Sequence, residues 1–260
     1  MNQLLPTSMH LNVVEILKEF FERNTAVDTV LLVNSCARSK ATPISDLDIA
    51  VLVSKGTSAD EMIGLEMAWR EFANSNDQVQ QFCLISPFTT VHLDVINGRY
   101  EPQIWDDGGG PDSFELEIGN QIAYGVPISP AGPYFEALKS EWLPYYGTAL
   151  QAQRAKMVKE ACLYDLAYIP YLVERDLLFQ AFARLYKAQR TFVQLLMITH
   201  RRYPIAYNKW LEEQLSDWLK RPDLFSALGA VLTIEKFDKV VFVQKGELLR
   251  ALVEQETAVV

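Results

Sequence analysis

Apolar residues recur at near-helical spacing through residues 11–23 (Val14, Ile16, Leu17, Phe20, Phe21), which predicts an amphipathic helix. The β-branched run at 27–33 predicts a buried strand, and a turn-rich stretch at 34–45 leads into a second strand at 46–53. Residues 57–74 read as a helix, with Ser58 as N-cap and Glu61 three positions on, the capping-box spacing. Two more strands are expected at 78–85 and 89–96, and an edge strand at 122–128. Pro127, Pro130, Gly132 and Pro133 fall within seven residues and stop both helix and strand, so a boundary is placed there. Beyond it the pattern becomes one of long helical periods, at 134–142, 149–173, 177–199 and 206–219, with one or two helices to the end. The expectation is α+β: a small mixed-sheet domain at 1–132 followed by an all-helical bundle domain at 133–260.

Charge sharpens this division. The chain carries 24 basic and 33 acidic residues. Up to Pro133 there are 7 Lys+Arg and 18 Asp+Glu, a net of −11; the remainder has 17 and 15, a net of +2. A net of −9 disfavours nucleic acid as a partner, because non-specific grip depends on Lys and Arg neutralising phosphates. No apolar stretch approaches the roughly 20 residues of a membrane span. Met1–His10 has no basic segment followed by an apolar run, so a cytoplasmic location without membrane attachment is expected. Cys36, Cys83 and Cys162 are too few and too scattered for a disulfide framework or a zinc cluster. His10, His92 and His200 are too far apart in sequence to form a local motif. Gly108–Gly110, flanked by Asp106, Asp107 and Asp112, reads as a flexible loop.

The stretch with chemical content runs from Val33 to Val51. Asp46 and Asp48 are two apart on a strand, so both carboxylates project from one face, about 6.6 Å apart along it. They repel each other and are costly to desolvate, and a divalent cation removes both penalties. Mg²⁺ characteristically binds through one or two carboxylates together with substrate phosphates. Leu47, Ile49, Val51 and Val53 occupy the opposite, apolar face and would pin the acid pair to a core. In the strand at 89–96, Val91, Leu93 and Val95 share one face while His92 and Asp94 share the other. Asp94 would complete a ligand set for two metal ions, which stabilise the attacking and leaving oxygens of an in-line phosphoryl displacement. The turn at Asn34 and Ser35 can hold phosphate oxygens, and Arg38 supplies a phosphate-binding charge. His92 reads as a hydrogen-bonding neighbour of the site.

A strand, a Gly-Ser-like turn, about ten residues, then Ser45-Asp46-Leu47-Asp48, and a later strand with one more acid: this arrangement resembles the nucleotidyltransferase superfamily of DNA polymerase β and the kanamycin nucleotidyltransferases. The resemblance spans roughly 27–96. Downstream, Arg175-Asp176, Arg201-Arg202-Tyr203-Pro204 and Lys209-Trp210 are similar to patterns in the helical domains of bacterial members. The resemblance implies transfer of a nucleoside monophosphate from NTP, with two Mg²⁺ ions, to an acceptor hydroxyl, releasing pyrophosphate. Asp46, Asp48 and Asp94 would bind metal and carry catalysis, with Asp94 taking the acceptor proton. Asn34, Ser35, Arg38, Lys187 and Lys209 would contact the nucleotide, the last two because the acidic first domain must borrow cations for a triphosphate.

Two positions depart from the family pattern. Asn34 stands where glycine is usual, and so does Ser39. Glycine serves there because the backbone takes positive φ or approaches phosphate closely, and Asn is among the few residues that tolerate the same geometry. The acid triad is intact. The expected activity is therefore nucleotidyl transfer to a small molecule such as a cationic, aminoglycoside-like one. The alternatives are a nucleotide-binding regulatory module without turnover, and nucleotidylation of a protein partner.

Overall fold

The computed structural model describes residues 4–105 and 109–257; Asp106, Asp107 and Gly108 of the glycine loop lie outside the described residues. The chain divides into two compact units. The first comprises the chain up to Glu101 together with Glu117–Pro144, and the second Pro102–Leu116 together with the chain from Tyr145 onward.

In the first unit α1 (Ser8–Phe21) precedes β1 (Val27–Leu32), a single helical turn α2 (Asn34–Ala37) and β2 (Leu47–Val53). Then come α3 (Ala59–Ser75), α4 (Asp77–Cys83) and β3 (Val91–Ile96). From Glu117, the last residue of a short turn α5 (Phe114–Glu117) whose first three residues belong to the second unit, the first unit continues with a π-helical segment at Ile118–Ala123, β4 (Val126–Pro127) and α6 (Pro133–Trp142). The four strands form a mixed sheet in the order β3-β2-β1-β4. β1 pairs antiparallel with β2 and β4, while β2 and β3 run parallel. A parallel pair needs a crossover, and α3 with α4 supply it. The capping box predicted at Ser58 and Glu61 is formed in both directions.

The alternation read along 46–53 holds. Leu47, Ile49, Val51 and Val53 are buried in one cluster with Leu17 and Phe21 of α1, Trp69 of α3 and Phe82 of α4. At 78–85 the expected strand is instead helix α4. Asn76 caps it by accepting from the Gln78 and Val79 N–H groups, at 3.1 Å each. Val79 and Phe82, three apart, point to the core; a short apolar run cannot by itself distinguish the two periods. The edge strand expected at 122–128 shrinks to Val126–Pro127, because Ile122 and Ala123 finish the π-helical segment.

α6 is anchored on β1 of the same unit. Asp28 accepts from the Tyr134 and Phe135 N–H groups at 3.0 and 2.9 Å, satisfying donors that a helix start leaves open. Gly132 is required here: a Cβ would lie 2.4 Å from the Asp28 carboxylate.

The second unit is helical. α7 (Thr148–Glu174) and α8 (Leu178–Thr199) pack along their lengths, joined by a π-helical segment at Glu213–Trp218, α9 (Pro222–Leu232) and α10 (Lys239–Thr257). The helix expected through 206–219 is thus confined to its C-terminal part. The core contains Ile169, Leu185, Phe192, Leu196, Phe242 and Leu249. Asp112, which the sequence placed beside a flexible loop, is buried against Arg154. Among the described residues no helix is long and apolar enough to cross a membrane.

Candidate functional site

The site is assembled where β1 ends and β2 begins. The Val33 N–H donates to the Asp48 carbonyl at 3.0 Å, which sets the residue after Val33 beside Asp48. That residue, Asn34, has φ 54°, and Ser39, at the other end of the turn, has φ 56°. Both positions where glycine was expected are therefore in the left-handed region, and both are occupied by side chains. The Asn34 amide hydrogen-bonds the Asp48 side chain. Between them α2 makes one turn, closed by Arg38 N–H to the Ser35 carbonyl at 3.3 Å and Lys40 N–H to the same carbonyl at 2.9 Å. Ser35 and Arg38 are half-buried at this turn, and Cys36 beneath it is fully buried.

Asp46 and Asp48 lie at the entry of β2, and parallel pairing sets Asp48 opposite His92 and Ala50 opposite Asp94. Asp46, Asp48, His92 and Asp94 line one cleft of about 600 Å³ along β3, an edge strand, with Arg70 of α3 and Gln80 of α4 also on its wall. His92 Nε2 is 3.6 Å from Asp46 Oδ2. Asp94 also lines a neighbouring hollow of about 330 Å³ with Asn97, Arg99, Glu117 and Gln121.

The electrostatics reflect this crowding. Burial, and next the charge of Asp46, hold the Asp48 carboxyl above the ordinary carboxylate range, and Asp94 adds to the shift. The Asn34 hydrogen bond and His92 oppose it. Cys36, pushed up to about 12 by burial and by Asp48, stays a thiol. Crowded carboxylates with too little countercharge form a donor set suited to a divalent cation. Among the described residues, no three His, Cys, Asp or Glu side chains converge closely enough to hold a metal unaided. A two-carboxylate site that takes its remaining oxygens from a triphosphate needs no third protein ligand.

Lys187 and Lys209 belong to the second unit. Lys187 Nζ is 3.4 Å from Oδ2 of the buried Asp165, which Arg184 also bonds. Lys209 has an exposed side chain, and its carbonyl accepts from Gln214 Nε2 at 3.0 Å. Asp176, at the end of α7, pairs with Lys239 at 2.7 Å, an interhelical ion pair. The sequence reading missed His10, whose only trace was its position three residues after Thr7, the N-cap of α1. It is buried and donates from Nε2 to the Ser45 carbonyl at 3.1 Å.

None of the curated proteins compared matches the chain. Residues 15–98 match the family model described as polymerase beta, nucleotidyltransferase. That segment holds Asn34, Ser35, Arg38, Asp46, Asp48 and Asp94. It ends with β3 and omits His10, Lys187 and Lys209. With this match and this sheet, residues 15–98 are similar to the nucleotidyltransferase domains of the polymerase β superfamily.

Proposed function

We propose that the protein transfers a nucleoside monophosphate from NTP to an acceptor hydroxyl, and that the acceptor is a small polar molecule of the aminoglycoside kind. The observation that carries this reading is the wall shared by Asp46, Asp48 and Asp94 in a domain of nucleotidyltransferase type. Asp46 and Asp48 would hold Mg²⁺ with the triphosphate. The metal supplies charge neutralisation at the transferring phosphoryl group. Ser35 and Arg38 orient phosphate oxygens at the α2 turn, and Asn34 fixes the carboxylate of Asp48. Asp94 would accept the proton of an acceptor hydroxyl, a role supported by its exposure on β3 and its place on the lining of both hollows. The acidic lining favours a cationic acceptor, since Asp46, Asp48, Glu66 and Asp94 outnumber Arg70 and His92.

The second unit offers phosphate-binding chemistry of its own. Arg175, Arg184 and Lys187 line a hollow of about 560 Å³ with Tyr168 and Tyr171. Lys187 is our proposed phosphate contact there, and Lys209 a further one. Asn34 and Ser39 in left-handed positions favour a second reading, in which nucleotide is bound but not turned over.

The experiment is pyrophosphate release from each of the four ribonucleoside triphosphates with Mg²⁺, over a panel of aminoglycosides, other hydroxylated small molecules and candidate proteins. Release that depends on a small-molecule acceptor and is lost in Asp48→Asn is the expected result. Nucleotide binding without release on any acceptor supports the second reading, and release on a protein alone moves the acceptor to that class.

A further inference from the structure

Asp46 is presented by a segment whose backbone carbonyls are held one after another from three separate elements. The Ile44 carbonyl accepts from Thr89 Oγ1 at 2.8 Å, just before β3. The Ser45 carbonyl accepts from His10 Nε2 at 3.1 Å, in α1. The Asp46 carbonyl accepts from Cys36 Sγ at 3.6 Å, in α2. Next in line, the Leu47 N–H donates to the Thr90 carbonyl at 2.9 Å and starts the β2–β3 ladder. Non-repetitive segments are ordinarily the mobile part of a fold, and this one is fixed residue by residue.

The middle clamp is the most elaborate. A carbonyl only accepts, so Nε2 of His10 carries its proton and Nδ1 is the acceptor. Nδ1 is satisfied by Thr7 Oγ1 at 2.8 Å, and the same oxygen accepts the His10 N–H at 3.3 Å. The Phe82 ring packs edge-on against the imidazole, with centroids 4.8 Å apart. Both ring nitrogens are used, the ring is fully buried and its orientation is fixed from three sides. Val13, Val14, Leu17 and Phe21 also seat α1 in the core, and the Nε2 bond is directed at the segment before Asp46.

We infer that His10 is a positioning residue for nucleotidyl transfer: it sets the backbone from which Asp46 projects, and so the spacing of Asp46 and Asp48 at the metal. The inference rests on the metal-and-nucleotide reading above. It adds a residue outside the segment matched to the family, acting through the Ser45 carbonyl and not by contact with substrate.

The test measures Mn²⁺ binding by electron paramagnetic resonance, alone and with each ribonucleoside triphosphate, on the full chain, alongside thermal melting. His10→Phe keeps an aromatic ring beside Phe82, in a somewhat larger side chain, but removes the donor. His10→Gln returns an amide N–H toward Ser45. Thr89→Val removes the neighbouring clamp without changing shape, and decides the matter if His10→Phe does not fold. Wild type should bind Mn²⁺ with nucleotide. His10→Phe should bind about tenfold more weakly, the scale of one hydrogen bond, and Thr89→Val should weaken binding in the same direction. His10→Gln should restore affinity to within about threefold of wild type. Unchanged affinity in His10→Phe and Thr89→Val overturns the inference. So does His10→Gln behaving like His10→Phe, which would make the ring a packing element only. Failure of the wild-type protein to bind Mn²⁺ with any nucleotide is a separate result: it removes the metal-site reading itself and this inference with it.

Discussion

The Asn34 side chain, held at φ 54°, hydrogen-bonds the carboxylate of Asp48 across the turn that joins β1 to β2. A glycine would fit the backbone at no steric cost but would leave that carboxylate without this donor. Asn34 thus trades backbone ease for a contact to the most crowded acid of the site. Ser39 takes the same region, at φ 56°, and is not among the groups that act on the Asp48 carboxylate.

The two left-handed positions should respond differently to glycine. Ser39→Gly relieves a conformation costing about 1 kcal/mol and should raise the melting temperature by about 2–4 °C. Asn34→Gly gains less, since Asn tolerates the region better, and loses the Asp48 hydrogen bond, so its melting temperature should stay level or fall. Calorimetry on both variants checks the contrast, and equal stabilisation by the two would show that the Asn34 amide contributes nothing.

Asp48→Asn should stabilise the metal-free protein while abolishing transfer. Burial and the charge of Asp46 raise the Asp48 pKa in the folded chain. The folded state therefore binds this proton more tightly than the unfolded state, and stability falls as pH rises from the ordinary carboxylate value of about 3.9 through the folded value. At neutral pH the charged carboxylate is a net cost that an amide removes. The expected gain is about 2 °C without divalent metal, together with loss of any stabilisation by added Mg²⁺ in the presence of nucleotide. A lower melting temperature for Asp48→Asn would place this carboxylate among the groups that hold the fold together.

Much of the site was legible because its logic is periodic. Asp46 and Asp48 could be placed on one face of a strand because Leu47, Ile49, Val51 and Val53 had to occupy the other, and His92 and Asp94 likewise against Val91, Leu93 and Val95. The left-handed requirement at Asn34 and Ser39 was visible only through the family pattern, since neither residue type announces it. Residues 78–85 misled because Val79 and Phe82 are three apart in so short a run that helix and strand spacings are hard to tell apart, and Asn76 as a cap was overlooked. His10 was invisible for another reason. Its partner, Ser45, is 35 residues away, and a carbonyl group carries no sequence signature.

His10 also gives a directional test by pH. Burial lowers its pKa, outweighing the Ser45 hydrogen bond, so it is neutral in the folded protein near pH 7. The unfolded chain takes up a proton near its ordinary value of about 6.5. Stability is therefore insensitive to this group above that value and declines as pH falls below it, with a limiting slope of about 1.4 kcal/mol per pH unit for one proton. His10→Gln should flatten that part of the curve between pH 6.5 and 5. Urea unfolding across this window measures the slope directly, and identical slopes for the two proteins would mean that the folded imidazole protonates as freely as the unfolded one.

The second unit depends on one guanidinium. Arg154 is buried and grips two buried carboxylates at once: Nη1 and Nη2 to Asp112 at 2.7 Å, Nε to Glu115 at 2.8 Å and Nη2 to Glu115 at 2.7 Å. Gln194 Nε2 donates to both carboxylates and the Tyr146 hydroxyl to Glu115. Replacing Arg154 with Met would leave two buried charges without their cation, at a cost of about 3–5 kcal/mol. Arg154→Lys should be nearly as damaging, because a single ammonium cannot reproduce a planar fork that spans both acids. By contrast, Lys156→Met, which breaks the exposed 4.0 Å pair with Glu160, should change stability by less than about 0.5 kcal/mol. Chemical denaturation of the three variants decides between these values. A tolerant Arg154→Lys would mean that charge alone, and not the forked geometry, ties Asp112 and Glu115 to α7.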